Sequence, residues 1–376
     1  MGSMGRKSIV CVVGARPNFM KIAPIMRALM ELSTPPRIHL VHTGQHYDAV
    51  MKHRFFEQLA IPQPDVDLEV GSSSQAAQTA LIMRRFEPVL EAERPAAVIV
   101  VGDVNSTIAC ALVAVKIGIP VVHVEAGLRS YDRTMPEEIN RVLTDQISDL
   151  LFTTERSARE NLLREGVEDS RIHFSGNVMI DTLLRHLPMA TAPWSILRAA
   201  HVIGDSSESH DYAVLTLHRP SNVDVPETLR RLLATVREIS EKMPVVFSVH
   251  PRTQRKIADV GMSPYLDTPR IVQIEPQGYL EMLGLVKNAT VVLTDSGGIQ
   301  EETTAIGVPC LTLRENTERP VTVEQGTNTV VGTDPARIHS VFGEIMTAGG
   351  KAGRIPELWD GHAAERIAQV IDDWLQ

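Results

Sequence analysis

The chain is poor in cysteine, and its three cysteines, Cys11, Cys110 and Cys310, lie in apolar stretches without Cys-x-x-Cys spacing. This usage argues against a disulfide scaffold and is typical of small core thiols in a reducing cytoplasm. No apolar run approaches the roughly 20 residues that a membrane-spanning helix needs. The histidines are scattered and do not follow a metal-ligand spacing, so we expect no metal site.

The chain also lacks any block of lysine and arginine, and its net charge is −9. Nucleic acid and anionic membranes are therefore not expected partners, although local arginines can still hold a small anion. The G-x-G-x-x-G fingerprint and the Walker loop are both absent, so neither a nicotinamide enzyme nor a P-loop ATPase is indicated. The length of 376 residues predicts one large domain or two ordinary ones.

What the sequence does contain is an alternation of short apolar strands with helices. It runs from residue 8 to 154, breaks in a polar, proline-containing segment at 187–211, and then restarts. Strands that are apolar throughout are typical of parallel sheets covered on both faces. We therefore predict an α/β protein with two Rossmann-like, doubly wound domains, 1–185 and 186–360, and a C-terminal helix, 361–376, that returns to the first domain.

One glycine pair stands where a phosphate could bind. The stretch Thr294-Asp-Ser-Gly-Gly-Ile-Gln-Glu-Glu302 follows an apolar run and opens a helix. Glycines let the backbone approach a ligand, and a helix start offers unpaired N–H groups and a positive dipole end. The pattern predicts phosphate binding at Ser296, Gly297 and Gly298, with Glu302 placed to accept hydrogen bonds from a ribose. A tight turn followed by a solvated Glu302 is the alternative that the motif leaves open.

Polar side chains stand at the ends of the predicted strands. In doubly wound sheets the carboxyl ends of the strands line the ligand crevice, so we expect a site between the two domains. The strand-end side chains are Arg16, Asp103, Glu125, His218, His250, Gln277, Asp295 and Ser296.

In the first half, Arg16 and Lys21 follow the first strand, where the helix start resembles the one in the second half. They could bind a diphosphate or could be ordinary surface cations. Asp103, Glu125 and Glu137 are predicted to converge, and crowded carboxylates are costly unless they do chemistry or bind cations. Helix capping by Asp103 and a dipole interaction of Glu137 are the structural alternatives.

In the second half, His218 ends a strand, where it could contact phosphate, transfer a proton or be structural. Arg319 lies in a polar loop and could hold a phosphate or a uracil-side group, or simply pair with Glu318.

Together these motifs resemble the non-hydrolysing UDP-N-acetylglucosamine 2-epimerases along nearly the full length of the chain. The resemblance implies a GT-B-like fold with the active site in the cleft between its domains. It also implies a cytoplasmic homodimer that interconverts UDP-GlcNAc and UDP-ManNAc without a cofactor. The matching pieces are Gly14-Ala-Arg-Pro with Lys21, Gly102-Asp103, His123 to Arg129, Pro136 to Arg141, Gly176-Asn177, His218-Arg219, Pro276-Gln277, Thr294 to Glu302 and Thr317 to Pro320.

The resemblance also implies roles for individual residues. The implied catalytic residues are Asp103, Glu125, Glu137 and His218. The implied substrate-binding residues are Arg16, Lys21, Arg141, Gln277, Met282, Ser296, Gly297, Gly298, Glu302 and Arg319.

Three positions depart from the family pattern. Met282 stands where the family often has Phe beside the uracil, and Asn18 stands where many members have Glu. The Gln45-His46-Tyr47 segment differs from the Gln-His-Arg pattern of regulated members, which puts activation by a second UDP-GlcNAc molecule in doubt.

The resemblance therefore implies an isomerase of cell-surface polysaccharide biosynthesis, which eliminates UDP to give 2-acetamidoglucal and then adds it back. Three alternatives remain at this point: a hydrolysing epimerase that releases ManNAc and UDP, a GT-B glycosyltransferase, and a non-catalytic UDP-sugar sensor.

Overall fold

The computed structural model describes residues 7–44, 61–199 and 211–376, with Arg16 described by its backbone alone. The Gln45-His46-Tyr47 segment therefore lies outside the described residues. The chain divides into two compact units, one formed by residues up to Arg185 together with Glu357–Gln376, the other by His186–Pro356.

The return to the first unit begins at residue 357, four residues earlier than the sequence indicated. The contacts that attach this segment include two near its start. The Trp359 indole Nε1–H donates to the carbonyl of Thr154 over 3.1 Å, and Glu357 forms an ion pair with Arg156.

The first unit is built on a parallel sheet of seven described strands in the order β3-β2-β1-β4-β5-β6-β7. The strands are β1 Ser8–Val13, β2 Arg37–His42, β3 Val66–Asp67, β4 Ala97–Val101, β5 Val121–Val124, β6 Leu150–Thr153 and β7 Ile172–Phe174. Its helices are α1 Arg16–Met30, α2 Gln75–Glu93, α3 Asn105–Lys116, α4 Pro136–Ile147, α5 Arg156–Arg164 and α6 Val178–His186, which ends at the boundary. The returning helix, named α15 below, packs on α1.

The second unit is built on a parallel sheet of six described strands in the order β10-β9-β8-β11-β12-β13. The strands are β8 Ala213–Thr216, β9 Val245–Ser248, β10 Ile271–Ile274, β11 Val291–Thr294, β12 Cys310–Thr312 and β13 Asn328–Val330. The helices are α7 Trp194–Ala199, α8 Pro220–Val223, α9 Pro226–Ser240, α10 Pro251–Asp259, α11 Tyr279–Lys287, α12 Gly297–Ile306, α13 Pro320–Glu324 and α14 Pro335–Ala348. The returning α15 is Ala363–Leu375.

The central strands are buried on both faces, as their uniformly apolar sequences require. Every side chain of β4 and of β11 is buried, and helices cover the sheet in each unit. The predicted fold class, two parallel-sheet α/β domains, is confirmed. Among the described residues, no helix is both long enough and apolar enough to cross a membrane.

In both sheets the order in which the chain adds strands reverses at the centre. This topological switch point lies between β1 and β4 in the first unit and between β8 and β11 in the second. Ligands of doubly wound sheets bind outside the carboxyl ends of the strands at this switch point. We therefore expect a ligand site at the side chains that follow β1, β4, β8 and β11.

Candidate active site

The start of α12 in the second unit has the geometry expected of an anion-binding site. Ser296 is the N-cap residue, but its side chain makes no capping hydrogen bond, and its own N–H donates to Thr294 Oγ1 over 2.9 Å. The first N–H groups of a helix have no partner within the helix. Within the described part of the chain, the N–H groups of Gly297 and Gly298 make no hydrogen bond and are available to a ligand.

Arg319 lies directly against this helix start. Its guanidinium is so close to Gly297 that a Cβ built on the glycine would lie 3.3 Å from Cζ, Nε and Nη1. The guanidinium is nearly buried and pairs with Glu301 at 3.1 Å and with Glu318 at 3.7 Å. The predicted interaction with Glu318 is therefore present, and it coexists with a position suited to holding a phosphate. We name Gly297, Gly298 and Arg319 together the candidate phosphate-binding site.

Gln300, a residue that the sequence did not single out, fixes the loop that carries Arg319. It is fully buried on α12, donates to Ser296 O at 3.3 Å and accepts from Thr317 Oγ1 at 2.6 Å. Thr317 Oγ1 in turn accepts from the backbone N–H of Arg319 at 3.0 Å. The helix start and the arginine are thus held together by one hydrogen-bonded chain.

Glu318 is the buried counter-ion of this region. It accepts two hydrogen bonds from the Arg314 guanidinium, at 2.7 and 2.9 Å. Burial alone would raise the pKa of the Glu318 carboxyl, but the hydrogen bonds from Arg314 and the charge of Arg319 outweigh burial and hold that pKa well below its usual range. The carboxylate therefore keeps its charge among the arginines.

The remaining predicted UDP contacts of the second unit lie on neighbouring elements. Glu302 is buried on α12, so the solvated glutamate of the alternative interpretation is not what the structure shows. Gln277 is half-buried just beyond β10, and its Nε2 donates to Glu275 O at 2.7 Å. Met282 is half-buried on α11 and packs against an apolar cluster of the core.

His218 and Asp295 join the ends of β8 and β11 across the switch point. The imidazole Nδ1 lies 2.9 Å from Asp295 Oδ1, and the carboxylate is completely buried. Burial would raise the pKa of Asp295, but hydrogen bonds from the His218 ring and backbone lower it below its ordinary value. The sequence placed Asp295 at a strand end without recognising it as the partner of the histidine.

In the first unit the structure pairs two residues for which the sequence predicted separate roles. Lys21, buried on α1, places Nζ 2.7 Å from Oε2 of the buried Glu125. Gly102 makes room for this pair, since a Cβ there would meet Lys21 Nζ at 2.9 Å. Glu125 itself has φ of 70°, an uncommon left-handed conformation for a residue other than glycine and one that clusters at functional sites.

Asp103 and α4 are tied together by two side chains of that helix. Arg141, which is buried, forms an ion pair with Asp103 Oδ2 and another with Glu138 Oε2 at 2.5 Å. Asn140 donates to the Asp103 carbonyl at 3.0 Å. Glu137 lies one turn before Asn140 and Arg141 and therefore on the same face of the helix. It is half-buried, whereas Glu138 is buried and accepts hydrogen bonds from the turn at Ser130.

The start of α1 differs from that of α12, although their sequences look alike. The Asn18 side chain accepts hydrogen bonds from the N–H groups of Gly14 and Ala15, at 3.2 and 2.9 Å, and donates to Val101 O at 2.9 Å. Gly14 and Ala15 precede α1, and Pro17 in its first turn has no N–H, so α1 does not offer the pair of N–H groups that opens α12. Arg16 is the first residue of α1, and its side chain lies outside the described part of the structure.

A buried network that the sequence did not reveal supports the turns of the first unit. His123, fully buried on β5, contacts Gly102 O with Nε2 at 2.8 Å and Asp145 with Nδ1 at 2.7 Å. Asp145 also accepts from Gly127 N–H at 3.1 Å and pairs with Arg129 at 2.7 Å. The partners are 21 and 22 residues apart, so no local pattern could have indicated the network.

The described residues contain no cluster of three or more His, Cys, Asp or Glu side chains arranged to hold a metal ion. Ionised and hydrogen-bonding groups gather at the switch point of each unit. In the second unit they are Arg319, His218, their carboxylate partners and helix N–H groups, and in the first they are carboxylates with their cationic partners.

Comparison with known proteins gives a consistent result. Residues 31–372 match the family described as UDP-N-acetylglucosamine 2-epimerase. The chain is 43% identical over 363 residues to the UDP-N-acetylglucosamine 2-epimerase of Methanococcus maripaludis, covering 96% of this chain and 97% of that protein. It is 42% identical over 367 residues to the UDP-2,3-diacetamido-2,3-dideoxy-D-glucuronate 2-epimerase of Pseudomonas aeruginosa, covering 96% and 99%.

Solved structures agree with the sequence comparison. The crystal structure of Methanocaldococcus jannaschii UDP-GlcNAc 2-epimerase, in complex with UDP-GlcNAc and UDP, is similar with a TM-score of 0.89. It is 42% identical and covers 97% of this chain and 99% of that one.

Proposed function

The chain belongs to the UDP-N-acetylglucosamine 2-epimerase family, and from this we propose that it interconverts UDP-GlcNAc and UDP-ManNAc without hydrolysing them. The observation that carries the proposal is the candidate phosphate-binding site of the second unit. It offers uncapped helix N–H groups and a buried arginine at the sheet's switch point, which is what a nucleoside diphosphate requires.

The chemistry of the substrate explains why leaving-group stabilisation comes first. The C2 proton of an N-acetylhexosamine is not acidic, because no carbonyl lies next to C2. It becomes removable as the C1–O bond breaks and C1 gains positive charge. The electron pair of that bond leaves on UDP, where cations and helix N–H groups stabilise it. We assign this task to Gly297, Gly298 and Arg319, with Ser296 at the helix start.

The second requirement is proton transfer at C2 on both faces of the sugar. We propose that Asp103, Glu125 and Glu137 remove and return this proton, because they gather at the switch point of the first unit and its α4. Loss of the proton with UDP gives 2-acetamidoglucal, and re-addition of UDP with a proton on the other face gives the epimer. A route by oxidation at C2 is blocked, because C2 bears an amide nitrogen and not a hydroxyl.

The other substrate contacts follow from the same assignment. We propose that Glu302 accepts hydrogen bonds from the ribose and that Gln277 and Met282 lie on the uracil side. In the first unit Lys21 and Arg141 are held by carboxylates, and we propose that they contact the substrate from there. Arg16 completes the proposed substrate-binding set.

The test is epimerisation in D₂O followed by proton NMR. UDP-GlcNAc incubated with the enzyme should lose its C2 proton signal as solvent deuterium enters, and UDP-ManNAc should appear with deuterium at C2. The two sugars should reach the same ratio from either side, and little free sugar should accumulate. A C2 proton retained in the product would refute elimination. Steady release of free ManNAc and UDP would instead show a hydrolysing enzyme.

A second candidate substrate comes from the Pseudomonas aeruginosa relative, which is about as similar as the UDP-GlcNAc epimerases. UDP-2,3-diacetamido-2,3-dideoxy-D-glucuronate presents the same C2 acetamido group and the same UDP leaving group. Measuring kcat/KM for both UDP-sugars under identical conditions decides between them, and a preference of more than about tenfold identifies the substrate.

We also propose that the protein is a cytoplasmic homodimer, as the family resemblance implies. Its three cysteines are buried and unpaired, which fits a reducing compartment. Sedimentation velocity at micromolar concentration tests the dimer, and a single monomeric species would contradict it.

A further inference from the structure

The proposed mechanism leaves one buried charge of the second unit unexplained. Asp295 is fully buried and directly precedes Ser296, the N-cap residue at the candidate phosphate-binding site. A negative charge at this place would repel a diphosphate unless a cation compensated it. The function of the buried Asp295 carboxylate beside this site therefore has to be explained.

The hydrogen bonds of Asp295 show which side chain faces the carboxylate. Its oxygens accept from the backbone N–H groups of His218 and Arg219, at 3.0 and 2.9 Å, and from Asn222 Nδ2 at 3.2 Å. The fourth contact is His218 Nδ1, at 2.9 Å. An ionised carboxylate is only an acceptor, so the imidazole must present Nδ1–H to it.

This contact determines what the other ring nitrogen can do. Within residues 7–44, 61–199 and 211–376, His218 Nε2 makes no hydrogen bond, and 42% of the side chain is exposed to solvent. With Nδ1–H fixed on the carboxylate, a protonated ring presents Nε2–H outward. A carboxylate behind an imidazole orients the ring and stabilises its charged form.

We propose that Asp295 is a positioning residue, which holds His218 as an imidazolium so that Nε2–H donates to the departing diphosphate. The inference rests on the proposed function and assigns His218 to the leaving group, not to the C2 proton. As the C1–O bond breaks, its electron pair remains on the β-phosphate oxygen, and the Nε2–H hydrogen bond strengthens with the new charge. No proton needs to leave the imidazolium in this step.

A double-mutant cycle tests the proposal by measuring kcat, KM and UDP affinity. Asp295→Asn should lower kcat about 10- to 100-fold, the scale of losing a partner that orients a functional side chain. In the His218→Asn background the same change should lower kcat by less than about twofold, because Asp295 acts through the ring. An equal drop in both backgrounds would overturn the proposal, and so would a parental kcat in Asp295→Asn.

A matched control uses the exposed His339–Glu238 pair, whose Nε2 and carboxylate lie 2.6 Å apart. Glu238→Gln removes a carboxylate from a histidine in the same unit, and kcat should not change. If Asp295 were only a negative charge beside the phosphates, its neutralisation would tighten UDP binding with kcat intact, and that result would also refute the positioning role.

A measurement on the parent protein keeps the proposal testable even where a variant fails to fold. Long-range ¹H–¹⁵N correlation spectra report which ring nitrogens carry protons, and the His218 signals are those missing from His218→Asn, or from His218→Gln should that variant not fold. Protons on both ring nitrogens are expected, and a ring protonated on Nε2 alone or on Nδ1 alone would overturn the proposal. Absence of epimerisation by the parent would refute the proposed function, while the spectrum would still decide on the His218–Asp295 contact.

Discussion

Substitution of Gly297 tests most directly how the second unit binds UDP. A Cβ at this position would lie 3.3 Å from three atoms of the Arg319 guanidinium, closer than almost all real Cβ contacts. Alanine therefore pushes the arginine by a few tenths of an ångström. The branched carbons of valine extend about 1.5 Å beyond Cβ and occupy the space where a phosphate oxygen would approach the helix start.

The magnitude follows from the contacts that would be lost. A hydrogen bond to a charged group contributes about 1.5–3 kcal/mol, which corresponds to about 10- to 150-fold in affinity. Gly297→Ala should weaken UDP binding by up to about tenfold, because one flexible side chain can adjust. Gly297→Val should weaken it by about 100-fold or more, because both the arginine and the backbone N–H groups are displaced from the phosphates.

Titration calorimetry with UDP gives the dissociation constants, and Gly343→Ala is the matched control. Gly343 lies within α14, and a Cβ there would meet no atom within 4 Å. That variant should bind UDP like the parent and gain up to about 1 kcal/mol in stability from its better helix propensity. A folded Gly297→Val that binds UDP with the parental affinity would refute the assignment of the candidate phosphate-binding site.

Three further outcomes follow from the structure. Glu302→Ala should bind UDP at least about tenfold more weakly and lose discrimination against 2′-deoxy-UDP, and retained discrimination would remove Glu302 from the ribose. Asp103→Asn, Glu125→Gln and Glu137→Gln should each lower turnover by about 10² or more with UDP affinity nearly unchanged, and any variant with normal turnover leaves the catalytic set. Glu318→Gln should be less stable than the parent at pH 7. Because the folded-state pKa of Glu318 is lowered, urea unfolding should show this difference shrinking as the pH falls below about 4.3, and a constant difference would contradict the lowered pKa.

The sequence predicted the central strands better than the edges of the sheets, for a physical reason. β1 and β4 are buried on both faces, so their residues form long apolar runs that indicate a parallel strand. Three of the four described edge strands, β3, β7 and β13, have only two or three residues each, and their side chains are partly polar. So short a segment carries no periodicity, and the pairing of its backbone with a neighbouring strand defines it.

In the candidate site, the sequence indicated where residues lie along the fold but not which side chains they contact. Glycine and strand-end patterns located Gly297 and His218, because backbone geometry at a strand or helix end is a local property. The ion pair of Lys21 with Glu125 and the contact of His218 with Asp295 join residues that the sheet order brings together. The amide of Asn18 illustrates the limit. Two helix starts that look alike in sequence differ, because the Asn18 side chain accepts the N–H groups of Gly14 and Ala15 just before α1, and Pro17 has no N–H.

The return of residues 357–376 to the first unit determines the order in which the protein can fold during synthesis. The second unit is one continuous segment and can complete its core as soon as Pro356 has emerged from the ribosome. The first unit stays incomplete after Arg185 has been synthesised, because the face of α1 that α15 covers remains exposed until α15 has also been made. Asp181 helps to attach α15 to the first unit. Its carboxylate accepts hydrogen bonds from the N–H groups of Ala363 and Ala364, the first two residues of α15. The nascent chain therefore exposes an unfinished domain for the whole time that the second one is made, and chaperone binding should be concentrated in this interval.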